Sequence, residues 1–174
     1  MNPSQTREAS AERFSREARR FVDWADGSEA SGTLLAPAAL RRMVALYAAA
    51  LELPQPWSEG VSARLPSEPA LAERLAALRE RAAAIPLQHY SEIFSPLVLP
   101  PDEPVVGDLA DDLLDIYRDV AVGLALYEAG GVEDAIWQWA FGFQTHWGEH
   151  ASSAIRALHC YLSQEDPSAL SRHG

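Results

Sequence analysis

The chain has 174 residues, 48% hydrophobic and 22% charged, with a net charge of −11, a balance that fits one globular domain and excludes a disordered chain. The charge is lopsided: residues 1–99 carry 11 arginines against 12 acids, whereas residues 100–174 carry 3 against 13. The second half therefore repels phosphate backbones and anionic lipid, so neither nucleic acid nor a membrane is an expected partner, and the absence of lysine removes Schiff-base chemistry and the P-loop lysine.

In chain order, Phe14, Ala18, Phe21, Val22 and Ala25 recur at spacings of three and four, which predicts an amphipathic helix that stops near Gly27. Pro37 suits the first turn of a second helix, whose apolar face reads as Leu40, Val44, Tyr47 and Leu51 until Pro54 ends it. After a stretch marked by Pro54, Pro56, Gly60 and Pro66, Leu71, Leu75, Leu78, Ala82 and Ile85 predict a third helix ending at Pro86. Five prolines between Pro86 and Gly107, with Tyr90, Ile93, Phe94, Leu97, Val98 and Leu99 among them, read as an extended segment packed on the helices.

Residues 108–129 predict a fourth helix with Leu109, Leu113, Ile116, Val120, Leu124 and Tyr127 on one face, closed by Gly130-Gly131. A fifth is expected from about Glu133 to Leu162, striped with Ile136, Ala140, Phe143, Trp147, Ala151, Ala154, Leu158 and Tyr161, and with Gly142 and Gly148 as places to kink. No β-alternation of useful length is seen. The expected fold is therefore all-α: an up-and-down antiparallel bundle of about five helices with the segment at about 86–107 packed on it. Residues 1–174 read as one helical-bundle domain, with 1–6 and 164–174 as flexible ends.

The candidate chemistry lies on the last two predicted helices. Asp108, Asp111, Asp112, Asp115 and Asp119 fall within an arc of roughly 100° beside the apolar face of helix four. His146 and His150, spaced i, i+4, project from one side of the next helix. In an antiparallel hairpin with a short turn, His150 lies opposite Asp112 and His146 near Asp115. Imidazoles and carboxylates on facing helices are how bundles hold divalent transition metals, so Asp112, Asp115, His146 and His150 are the candidate ligands, with Asp108, Asp111, Asp119 and Glu149 as neighbours. The same residues also suit a solvated acidic face and hydrogen-bonded core histidines.

His146-Trp-Gly-Glu149-His150 matches the H-x-x-E-H string of inverted zinc peptidases. Only 24 residues follow it, with Glu165 the single later glutamate, so that class's further ligand is missing. No G-x-S-x-G elbow or glycine-rich phosphate loop is present. Cys160, the sole cysteine, forms no internal disulfide, and the polar N-terminus lacks a signal-peptide core, so a cytoplasmic location is expected. Trp24, Trp57, Trp137, Trp139 and Trp147 read as core before they read as an aromatic platform.

The succession Asp108-Leu-Ala-Asp-Asp-Leu-Leu-Asp-Ile-Tyr-Arg-Asp119, Gly123-Leu, Trp137, His146-Trp-Gly-x-His150 and Ala157-Leu-His159, with Leu-Tyr-x-Ala-Ala-Leu-x-Leu-Pro ending at Pro54 and Tyr90 to Pro96, resembles an uncharacterised bacterial family. That family is catalogued only as a domain of unknown function, and the resemblance spans roughly residues 14–162. It implies an all-helical bundle and carries no activity, cofactor or partner. The functional expectation is a small non-enzymatic protein-interaction or regulatory module without a cofactor, acting on a protein partner or as a homodimer. The alternative is a protein binding one divalent metal ion, or a metal-dependent hydrolase, built on the Asp/His cluster.

Overall fold

The computed structural model describes residues 3–28, 34–55 and 68–171. Its described residues form seven helices and one two-stranded sheet: α1 (Pro3–Ala25), α2 (Ala36–Ala50), α3 (Glu68–Ala82), β1 (His89–Glu92), β2 (Val105–Asp108), α4 (Leu109–Glu128), α5 (Val132–Thr145), α6 (Trp147–Glu165) and α7 (Pro167–Ser171). The fold is all-α in character. α4 is its hub, with α1, α3, α5 and α6 packed around it, and α2 closes the bundle against α1 and α6.

The predicted stripes of α1, α3 and α4 become core. Phe14, Ala18, Phe21, Val22 and Ala25 of α1 are buried together with Leu78 and Ile85 from α3 and its exit, and with Leu109, Leu113, Ile116 and Val120 of α4. Each large side chain removed from water in this way contributes roughly 1.5–3 kcal/mol. Trp24, Trp139 and Trp147 are buried and belong to the core. Trp139 donates to the Val120 carbonyl at 3.1 Å and Trp147 to that of Trp139 at 3.1 Å, so burying either indole strands no N–H. Trp137 stacks on Phe141, and Trp57 lies outside the described residues.

α2 presents a different face from the one its large residues suggest. Ala36, Ala39, Met43, Leu46 and Ala50 are buried, while Val44 and Leu51 are exposed. Nearly every α2 residue is apolar, so periodicity barely separates the faces, and of the predicted stripe Leu40 and Tyr47 are half-buried against the same core.

The expected fifth helix is two. α5 and α6 meet at His146, whose φ of −152° and ψ of −85° cap both. The break falls between the two glycines marked as kink sites. At Gly148 a side chain would place its Cβ 2.2 Å from the Phe143 carbonyl oxygen, so only glycine permits the close turn. The buried stripe nevertheless continues across the junction through Ile136, Ala140, Trp147, Ala151, Ala154 and Leu158.

The proline-rich segment is extended, as expected, but its two ends pair as β1 and β2, antiparallel, with Tyr90 opposite Gly107 and His89 opposite Asp108. Its tip is not packed down: Leu97 is 95% exposed and Leu99 83%, and Phe94 and Val98 are also exposed. Residues 3–6 open α1, and residues 164–171 run through the end of α6 into α7, where Ala169 is buried and its carbonyl accepts from Arg41 at 2.7 Å. No described helix is long and apolar enough to cross a membrane.

Candidate metal centre

Asp108 ends β2 and caps α4, its carboxylate accepting from the Ala110 and Asp111 backbone N–H groups at 2.8 and 3.2 Å. This cap satisfies two orphan donors and fixes where α4 begins. The later aspartates then have set positions around the helix. Asp111 is on the outer edge and pairs with Arg79 of α3 at 2.8 Å. Asp112, Asp115 and Asp119 follow at spacings of three and four and face α6 and the α5–α6 junction.

Asp112 is buried. Its Oδ1 accepts from His150 Nδ1 at 2.9 Å and its Oδ2 from the Tyr90 hydroxyl at 2.5 Å. A buried carboxylate without such donors costs several kcal/mol, and here both oxygens are served. Burial, then the bond to Asp112, pushes the Tyr90 phenol well above its ordinary value, so it remains a donor at all working pH. The bond to Asp112 holds His150 above the ordinary imidazole value despite partial desolvation, with the charges of Asp112, Asp115 and Glu149 adding to it.

One turn away, His146 Nδ1 meets Asp119 Oδ2 at 2.8 Å. An ionised carboxylate only accepts, so in both pairs the ring Nδ1–H donates, and in the neutral ring Nε2 is left with its lone pair. Asp115 lies between the two anchoring aspartates. Its Oδ1 takes Arg118 at 2.7 Å, while its Oδ2 lies 3.7 Å from His150 Nε2. Asp115, His146 and His150 each offer a donor atom, all within 4.8 Å of one another, and the two imidazole rings are 5.0 Å apart.

The structure thus brings together all four sequence-derived ligand candidates but gives them two roles. Asp115, His146 and His150 converge, whereas the carboxylate of Asp112 is engaged by the Tyr90 hydroxyl and by Nδ1 of His150. His146 is bonded to Asp119 and also lies within 4.8 Å of Asp115. Of the neighbours, Asp119 orients a histidine, Asp108 caps a helix, Asp111 serves an ion pair, and Glu149 is exposed on the rim.

Tyr90 is the residue that sequence reasoning placed only as packing. Its ring crosses β2 at Gly107, where a Cβ would sit 2.6 Å from the ring carbon Cζ. A tyrosine opposite a glycine in a short ladder is the one signal that could have marked it, and it requires knowing the pairing. A cleft of about 320 Å³ opens beside the cluster, lined by Tyr90, Phe94, Asp111, Asp115, His150 and Ser153 among others.

No curated protein matches the chain. Its fold is similar to the crystal structure of protein BF1032 from Bacteroides fragilis, a structural genomics target, with a TM-score of 0.65 at 20% identity, covering 91% of this chain and 94% of that one. That likeness concerns the fold alone. A family described as a domain of unknown function, DUF5063, matches residues 5–164, and the chain belongs to that family.

Proposed function

We propose that this protein binds one divalent transition metal ion through Asp115, His146 and His150. The observation that carries the reading is that both histidines are anchored at Nδ1 by an aspartate of α4, at 2.9 and 2.8 Å. Carboxylate–histidine–metal arrangements use this second contact to fix the tautomer and aim Nε2 at the ion. Two imidazoles and one carboxylate are a ligand set for zinc and its transition-metal neighbours, and three protein ligands leave a position for water or another molecule. In a tetrahedral site donors lie about 3.4 Å apart, so metal binding draws the three groups inward from their present separation.

The test is metal content by mass spectrometry on protein purified without a histidine tag or chelator. About one equivalent in the wild type, lost in the His146→Ala/His150→Ala variant, supports the site. Metal-free folded wild type that also takes up no zinc on dialysis rejects it, and the Asp–His pairs are then struts between α4 and the α5–α6 junction.

A second reading, a protein-contact module, is favoured by the hairpin tip. Phe94, Leu97, Val98, Leu99, Val105 and Val106 all stand exposed on one short segment, bracketed in sequence by Glu92, Asp102, Glu103 and Asp108. Clustered exposed apolar surface with an acidic border fits a partner that offers an apolar groove rimmed by basic residues. Such a partner is lost on Leu97→Ser/Leu99→Ser substitution and associates more slowly as salt rises; one retained by the variant argues against the reading.

A further inference from the structure

A second cavity, of about 280 Å³, adjoins the metal cleft and is lined by Leu87, Ser91, Arg156, Cys160, Tyr161 and Gln164 among others. Tyr90, Glu92 and Ser153 line both cavities, so the two spaces meet across one shared wall. On α6, His150, Ser153, Ala157, Cys160 and Gln164 recur at spacings of three and four, giving a continuous floor along one helix side.

Arg156 stands on the edge of that floor. Of the three arginines beyond residue 99, Arg118 is held by Asp115 and Arg172 lies outside the described residues. Arg156 has no ion pair or hydrogen bond among the described residues. A guanidinium without a carboxylate, in the most acidic half of the chain and on a cavity wall, is available for an anion, and its planar fork matches carboxylate and phosphate oxygens. Six residues separate it from His150, about 9 Å of helix rise.

We infer that the two adjoining cavities together bind a small organic anion, with its carboxylate or phosphate on Arg156 and an oxygen directed at the metal. This rests on the proposed metal site. Leu87, Ala157 and Tyr161 supply an apolar wall for the body of the ligand, which favours an organic molecule over an inorganic ion. Glu92, on the shared wall, and Glu149, on the rim of the metal cleft, repel additional negative charge, so the ligand carries its anionic group at one end only.

The test titrates phenylacetate, phenyl phosphate and inorganic phosphate into the full chain by NMR chemical-shift perturbation, with zinc loaded and with zinc removed. The first two probes separate a carboxylate from a phosphate ligand, and the third separates an organic anion from a bare one. Expected are saturable shifts at Ser153, Ala157 and Tyr161 with an aromatic probe, and affinity about 10- to 100-fold lower in Arg156→Gln, the effect of losing charge-assisted bonds. Zinc content in the same samples reports the metal site independently, and the arginine dependence remains readable in zinc-free protein. Equal binding by Arg156→Gln, binding of inorganic phosphate alone, or no saturable binding of any probe overturns the inference.

Discussion

Asp112 and His150 lie 38 residues apart in sequence and meet through an Oδ1–Nδ1 bond of 2.9 Å, while the other oxygen of Asp112 takes the Tyr90 hydroxyl at 2.5 Å. One buried carboxylate therefore ties α4, α6 and β1 together. Its two donors decide both the orientation of His150 and the seat of the hairpin on the bundle.

Tyr90→Phe removes the donor and leaves one oxygen of Asp112 without its partner. A loss of about 1–3 kcal/mol in unfolding free energy is expected, read from urea denaturation of metal-free protein. No loss would mean that the short bond contributes nothing to the fold.

The anchoring aspartates should matter to metal affinity without being ligands. Asp119→Ala is expected to weaken zinc binding about 10- to 100-fold, whereas Asp115→Ala, which removes a ligand, should reduce it further. Competition against a chromogenic chelator measures both, and an Asp119→Ala protein that binds zinc like the wild type would remove His146 from the site.

Stability of the metal-free protein should depend on pH through His150. Its folded value is raised above the ordinary 6.5, so protonation favours the folded state. That stabilisation is complete below about pH 6.5 and is lost as pH rises through the raised folded value. The difference in denaturation midpoint between wild type and His150→Gln should therefore be largest near pH 6 and shrink toward pH 9. A difference that is flat across this range contradicts the assignment. With metal present the order reverses, because protons and metal compete for Nε2 and zinc affinity falls with falling pH.

Gly148→Ala forces a Cβ to within 2.2 Å of the Phe143 carbonyl oxygen, a backbone atom that cannot swing aside. Destabilisation of about 1–3 kcal/mol is expected from such overpacking, together with weaker zinc binding because the shifted start of α6 carries His150. A variant with unchanged melting temperature would show that the α5–α6 turn tolerates a wider crossing.

Much of this was readable from local chemistry. Periodicity at three and four marked the core faces of α1, α3 and α4, since a helix turns by the same angle at every residue whatever surrounds it. The aspartate stripe and the His146/His150 spacing followed from the same geometry, and a short turn after α4 was enough to set His150 against Asp112. Proline and glycine placed the ends of α2 and α4 through their own backbone restrictions.

The tertiary structure decided what depends on atoms distant in sequence. Which face of alanine-rich α2 is buried was set by neighbouring helices, because its residues differ too little in hydrophobicity to choose. His146 caps both α5 and α6, and its ring bonds Asp119 while staying within 4.8 Å of Asp115, a choice of partner that helical periodicity does not encode. Tyr90 came to Asp112 through a four-residue strand pair whose partners are separated by a proline-rich loop, and strand pairing is a long-range contact that short segments specify weakly. The sequence by itself thus supplied the helices and the residue types of the site. Only the folded chain decided which imidazole nitrogens are spent on aspartates and which are left to converge.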